Sequence, residues 1–338
     1  MRWMLRLGLA LLLAAVLLGA WTYSWTYTPE GRMLYRAALM ARLVDSQSQQ
    51  NFVMTPESRR KANDNTVRWL GERELKAVAD IRDFTVPSPG GDIPVRAYFP
   101  ETATPGPLPL YIMIHGGGFW MGDDYRIEEP QARIIAHEAQ AIVLAVDYRL
   151  APEHPFPAGL EDSYAVLEWA HANAAELGGD PQRIAVGGGS AGGNLALAVA
   201  LKSRDEQGPP LRFVLAIMPV TDFTRVEDDG HRYVLKADHV KAMRAAYVPD
   251  PRERGHPYVS PLHADGLDAL PPVYVITGQF DPLRDQGEAL GEKIRQAGGE
   301  ATVRRYDGVL HGFLGTPDVA QEAMLAAARA MRSAIADN

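Results

Sequence analysis

The chain has 338 residues, 46% hydrophobic and 22% charged, the balance of a folded protein with a sizeable core. A net charge of −8 with no Lys/Arg-rich run excludes the basic face that nucleic-acid binding requires. The absence of cysteine excludes disulfides, thiolate metal sites and a cysteine nucleophile.

At the N-terminus, Arg2 and Arg6 precede an uncharged stretch from Leu7 to Tyr27. As a helix this stretch rises about 30 Å, enough to cross the hydrocarbon core of a bilayer. Trp3 marks one end, and Trp21, Tyr23, Trp25 and Tyr27 mark the other, as interfacial aromatic belts do. Residues 1–27 are therefore expected to be a membrane anchor or a signal segment. Leu18-Gly19-Ala20 is a poor cleavage site, because a bulky Leu occupies the −3 position. Arg2 and Arg6 would hold the N-terminus in the cytoplasm, giving an inner-membrane-anchored protein with residues 28–338 outside the cytoplasm. Signal cleavage would instead give a secreted or periplasmic protein, and a buried core helix is the remaining alternative.

From Thr28 to about Arg73 the pattern is helical without strand character. Pro29 and Glu30 open one predicted helix through Val44, and Thr55-Pro56-Glu57 opens a second, with Thr as cap and Pro at the first helical position. Ile81–Val86 and Val95–Tyr98 flank Pro89-Gly90-Gly91-Asp92 as a predicted hairpin. Further strands are expected at Leu110–Ile114, Ile142–Val146, Arg183–Val186, Phe213–Met218, Val273–Thr277 and Ala301–Tyr306. Helices are expected at Glu128–Ala139, Gly159–Asn173, from Ala191, at Gly287–Gln296 and at Val319–Ile335. Apolar runs alternating with helices argue an α/β fold, a mostly parallel sheet covered on both faces. Phe223–Pro249 breaks this rhythm and reads as an inserted, helix-like piece that could pack with residues 28–73 as a lid.

Four stretches carry chemistry. Gly188-Gly189-Ser190-Ala191-Gly192 is G-x-S-x-G between a strand and a helix, the context of a nucleophilic serine on a sharp elbow. A phosphate-cradling turn or a plain connection is the alternative. His115-Gly116-Gly117-Gly118-Phe119 follows a strand, and its glycines allow backbone N–H groups to approach a developing oxyanion. Gly117 and Gly118, with the N–H of Ala191, are the expected donors, while His115 is expected to hold the loop by hydrogen bonds. Asp281 follows the strand Val273–Thr277 and His311 follows Ala301–Tyr306, so the order is Ser190, Asp281, His311. In this reading His311 takes the serine proton and Asp281 orients the imidazole, with Asp285 as the rival acid. Asp147–Glu153 is expected to brace the site through an Arg149–carboxylate pair, with Asp222 a structural loop residue.

Together these segments resemble the hormone-sensitive-lipase-like esterases, the bacterial family IV lipolytic enzymes of the α/β-hydrolase superfamily. The resemblance covers most of the chain from about residue 28, through His115–Trp120, Asp147–Pro157, Gly188–Asn194, Pro219–Asp222, Ser260–Leu262, Asp281–Asp285 and His311–Phe313. It implies an eight-stranded α/β-hydrolase sheet, with a helical cap from about 28–73 and 223–250. It further implies Ser190, Asp281 and His311 as catalytic residues, Gly117, Gly118 and Ala191 as the oxyanion hole, and no cofactor or metal. The thirty-residue interval from Asp281 to His311 is similar to the family's acid-to-base spacing and favours Asp281 over Asp285. One position departs from the pattern: Gly189 stands where an acidic residue or Thr usually precedes the serine.

The expected activity is hydrolysis of short- to medium-chain carboxylic esters, with Phe52, Trp69 and Phe119 expected to line an apolar acyl site. A lipase acting on longer-chain, membrane-associated esters and an amide or carbamate hydrolase are the alternatives. A non-catalytic ligand-binding relative is a different class, and the presence of His311 speaks against it. The expected partners are a small-molecule ester and a membrane reached through residues 7–27, with a homodimer as an option.

Overall fold

The computed structural model describes residues 2–47, 52–70, 75–101, 106–225 and 233–336. Residues 48–51, 71–74 and 226–232 of the expected cap lie outside them. An eight-stranded sheet forms the centre, made from β3 (Asp80–Val86), β4 (Ile93–Phe99), β5 (Leu108–Ile114), β6 (Ile142–Val146), β7 (Gly179–Gly189), β8 (Phe213–Ile217), β9 (Val273–Phe280) and β10 (Ala301–Leu310). The spatial order is β3-β4-β6-β5-β7-β8-β9-β10, with β4 antiparallel to both its neighbours and every pair from β6 to β10 parallel.

All five residues of β6 are buried, as a strand covered on both faces must be. Because side chains alternate across a strand, β5 sends Leu110, Ile112 and Ile114 to one face and Tyr111 and Met113 to the other. The first face is covered by α5 (Ala158–Ala172), α7 (Ala191–Asp205) and α9 (Arg284–Gln296). The second is covered by α4 (Tyr125–Ala139) and α10 (Pro317–Ala334).

The N-terminal region precedes this layer structure. Helix α1 (Arg2–Ser24) contains a span from Arg6 to Ser24 with mean hydropathy 1.9 and none of it buried. The expected helix start at Pro29 and Glu30 is corrected, since these residues form the turn of a two-residue hairpin, β1 (Tyr27–Thr28) with β2 (Gly31–Arg32). Proline fixes the same φ at a helix start and in a tight turn, so its local signal does not separate the two. Met33 and, from helix α2 (Tyr35–Gln47), Ala37, Ala38 and Ala41 then pack against Phe280 and Leu310 at the ends of β9 and β10. Helix α3 (Pro56–Leu70) begins at the expected place, with Thr55 Oγ1 accepting from the Ser58 N–H at 3.2 Å. The insertion supplies α8 (Ala237–Tyr247).

Candidate active site

The parallel strands bring their carboxyl ends to one edge, where β5 leads into the glycine loop, β7 into Ser190, β9 into Asp281 and β10 into His311. At Ser190 the chain turns from β7 directly into α7 with φ 55° and ψ −116°, a conformation that L-residues rarely occupy. The turn closes only because its neighbours lack side chains. A Cβ on Gly188 would stand 2.1 Å from the Ile114 carbonyl oxygen, and one on Gly192 would stand 2.0 Å from the same atom. Gly189 is different, with its nearest neighbour 4.0 Å from a built Cβ. The departure at this position therefore reflects open space rather than a steric demand.

The side chains of Ser190, His311 and Asp281 form one hydrogen-bonded chain. Ser190 Oγ lies 3.0 Å from His311 Nε2, and His311 Nδ1 lies 3.0 Å from Asp281 Oδ2. The other Asp281 oxygen accepts from the Leu283 N–H at 2.9 Å, so the carboxylate is held at both ends. Asp285 is not part of this chain, for it turns outward to Arg284 at 2.6 Å with its side chain 69% exposed.

The glycine loop faces the serine. Gly117 and Gly118 adopt φ 113° and 62°, and Phe119 φ 66°, a run of left-handed conformations that needs glycine at the first two positions. The bonds within the loop run from the Trp120 and Met121 N–H groups to the Gly117 oxygen, and the N–H groups of Gly117 and Gly118 find no acceptor among the described residues. Ala191 is the first residue of α7, so its N–H has no intrahelical acceptor. His115 holds the loop as expected: its Nδ1 donates to the Gly116 oxygen at 2.7 Å and its ring stacks on Tyr148 at 4.2 Å. Burial pulls its pKa down to about 4, keeping the ring neutral.

Above Ser190 and His311 opens a cavity of about 970 Å³, walled by Phe119, Ile217, Leu283, Val240, Met243 and Arg244 among others. Phe119 lines it as expected. Phe52 and Trp69 do not: Phe52 packs edge-on against Trp120 at 5.2 Å and stacks on His239 at 4.3 Å, and α3 offers Thr66 and Leu70 to the cavity instead of Trp69.

A family described as the α/β hydrolase fold matches residues 111–315, the glycine loop through His311. Carboxylesterase NlhH of Mycobacterium tuberculosis is 41% identical over 71% of this chain and 77% of its own length. The chain belongs to the hormone-sensitive-lipase-like esterases of the α/β-hydrolase fold. An arylesterase of Saccharolobus solfataricus is 32% identical over 87% of this chain and 94% of its own. The thermostable carboxylesterase EstE1, cloned from a metagenomic library, superposes with a TM-score of 0.76 at 35% identity over 83% of this chain and 97% of its own.

Two supports of this α/β-hydrolase site carry no local signal in the sequence. Asn63 on α3 is buried, accepts from the Gly122 N–H at 3.1 Å and donates to Asp123 at 2.7 Å. Arg59, one turn earlier, donates to the Trp120 oxygen at 2.6 Å and to Glu153 at 2.6 Å. Helix α3 thus grips the far side of the glycine loop, while α2 backs the residues that precede Asp281 and His311. Beneath the loop, burial pushes the Asp147 carboxyl up to about 6, with the neighbouring Asp123 adding to the rise. Arg149 pairs with buried Asp162 at 2.8 Å, the bracing anticipated for this segment. Asp222 is buried and accepts from Thr224 and His263, as a loop residue would, and it also borders the cavity. Among the described residues no group of His, Asp and Glu has metal-binding geometry.

Proposed function

We propose that Ser190, His311 and Asp281 carry out carboxylic ester hydrolysis, with Gly117, Gly118 and Ala191 as the oxyanion hole. The chain is a carboxylic ester hydrolase by its family. The observation that carries the residue assignment is the pair of 3.0 Å contacts joining Ser190 Oγ to His311 Nε2 and His311 Nδ1 to Asp281. Ser190 Oγ attacks the ester carbonyl carbon while His311 Nε2 accepts its proton, and the carbonyl π pair moves onto oxygen. The N–H groups of Gly117, Gly118 and Ala191 receive that negative charge, each worth on the order of 3 kcal/mol to the transition state. Collapse expels the alcohol, which takes the proton back from His311. Water, deprotonated by the same imidazole, then releases the acid and restores Ser190. Asp281 stays ionised throughout, fixing the Nδ1–H tautomer and stabilising the imidazolium.

Short- to medium-chain acyl groups suit the site, because cap residue Met243 lies against Gly118 and closes one wall directly over the glycine loop. The lipase reading draws on the N-terminal helix. Turnover of p-nitrophenyl butyrate against p-nitrophenyl palmitate separates them, and faster palmitate hydrolysis would overturn the short-chain assignment. His311→Gln should lower kcat at least 10³-fold with little change in KM. A loss under tenfold would remove His311 from the mechanism.

The cap, formed by residues of 28–73 and 223–250, is proposed as a separate covering layer. It is supported by Thr66 and Leu70 on one side and Val240 and Met243 on the other bordering the cavity. We also read α1 as an uncleaved anchor. Its leucines stand largely exposed, Leu9 at 71% and Leu11 at 63%, which water disfavours and lipid does not. Below it, Trp25 packs into the same cluster as α2, and Arg32 lies over the Tyr23 and Tyr27 rings at 5.1 and 5.6 Å, an arrangement suited to the interface.

A further inference from the structure

Two arginines line the cavity, and their surroundings differ. Arg225 lies 3.8 Å from Asp222, with its own side chain 81% exposed to water. Arg244 has no such partner: among the described residues no carboxylate comes within ion-pair distance, and its single protein bond runs from Nη1 to the Phe223 oxygen at 3.1 Å. Its Nε is buried and meets no acceptor. Arg254 lies near enough to repel it and shares the condition, with a buried Nε and no acceptor. A guanidinium is charged at every physiological pH and is best satisfied by an anion that takes two parallel N–H bonds. Two neighbouring guanidiniums without a counter-charge among the described residues form a demand for one.

The position of Arg244 says where that charge would come from. Val240, Met243 and Arg244 occupy one face of α8, spaced three and four residues apart, and all three border the cavity. The sulfur of Met243 occupies the space a Cβ on Gly118 would need, at 2.0 Å, so this helix face rests on the glycine loop itself. Arg244 is the next residue along. Three described carboxylates border the cavity, Glu128, Asp222 and Asp318, and none pairs with Arg244; Asp222, beside the Phe223 oxygen that Arg244 does reach, is already engaged by the Thr224 N–H at 2.8 Å, the Thr224 hydroxyl at 2.6 Å and His263 at 3.1 Å. It leaves Arg244 to the cavity.

We propose that Arg244 is a specificity-determining residue that binds a carboxylate carried by the substrate, so that this enzyme acts on esters with an anionic group apart from the scissile bond. The proposal rests on the serine-esterase reading and refines its substrate class. Half-esters of short dicarboxylic acids place the charge on the acyl side, and esters of hydroxybenzoates place it on the alcohol side. In either case Arg244 touches neither the carbonyl nor Ser190. It acts through binding, so its removal raises KM more than it lowers kcat.

The test measures kcat/KM for two pairs of substrates, monoethyl glutarate against ethyl butyrate, and 4-acetoxybenzoate against its methyl ester. Wild-type enzyme, Arg244→Gln and Arg244→Lys are compared. We expect the wild type to accept at least one anionic ester as well as its neutral partner. The anionic-to-neutral ratio for that pair should fall about tenfold in Arg244→Gln, mainly through KM, and recover partly in Arg244→Lys. Added salt should depress the same ratio in the wild type. Competitive inhibition of ethyl butyrate hydrolysis by glutarate in the wild type gives a reading that needs no variant. An unchanged ratio in Arg244→Gln would mean that Arg244 only braces Phe223, and would overturn the proposal. Wild-type discrimination against both anionic esters, or no inhibition by glutarate, would overturn it equally. Failure of the wild type to hydrolyse even the neutral esters would instead bring down the esterase reading, and this refinement with it.

Discussion

The two glycines immediately before Ser190 meet different environments, and substitution should separate them. Gly188 faces the Ile114 carbonyl and cannot carry a side chain, whereas Gly189 has open space and a backbone that other residues adopt. Gly189→Ala is therefore expected to stabilise the fold by about 0.4–1 kcal/mol through the unfolded state, with esterase activity retained. Gly188→Ala should destabilise, and chemical denaturation of both variants reads the difference. If both destabilise alike, the space at Gly189 is not available. Asp147 supplies the pH dependence. Its folded-state pKa near 6 lies above the value of 3.8 for a free carboxyl, so the folded state binds more protons between about pH 4 and 6. Stability from this group is accordingly present below pH 4 and lost as pH rises through 6. Asp147→Asn removes the buried charge and should raise the melting temperature more at pH 8 than at pH 4.5. An equal shift at both pH values would show that Asp147 is not the titrating group.

Helix α3 illustrates what local sequence conceals. Asn63 accepts from a buried loop N–H, and its truncation should cost about 1–3 kcal/mol by leaving that donor unsatisfied. Loosening the loop should also lower kcat of Asn63→Ala about tenfold while KM changes less; a rise in KM alone would point to substrate contact instead. Nothing near Asn63 announces this role, since its partners lie about sixty residues away in the chain. The strands were legible for the opposite reason. Burial on both faces demands uninterrupted apolar runs, and Ile142–Val146 has the same bounds as sequence and as strand. The glycine loop and the serine elbow were legible because close backbone approach leaves glycine as the only solution. Pro29 misled because its ring geometry serves a turn as well as a helix start. Phe52 and Trp69 were named for their apolar character, but which neighbour an aromatic ring meets is decided by tertiary packing.

As a whole the molecule joins an apolar N-terminal helix to a hydrolase through a packed collar, and the two should part at a definite point. A chain beginning at Trp25 keeps the α2 contacts with Phe280 and Leu310, and should be released from membranes while hydrolysing p-nitrophenyl butyrate. Deletion through Gln47 removes the support behind Asp281 and His311 and should abolish activity. The full chain should resist alkaline carbonate extraction, and its release would show a cleaved or peripheral segment. These outcomes concern where the enzyme sits, whereas the proposed chemistry turns on a single oxygen atom. The most direct test is mass spectrometry of the full chain after reaction with a fluorophosphonate, alongside esterase assay of Ser190→Ala. The account predicts one phosphonyl adduct on Ser190 and loss of esterase activity by at least 10⁴-fold in the variant. An adduct elsewhere, or a Ser190→Ala enzyme that still hydrolyses p-nitrophenyl butyrate at the wild-type rate, would contradict it.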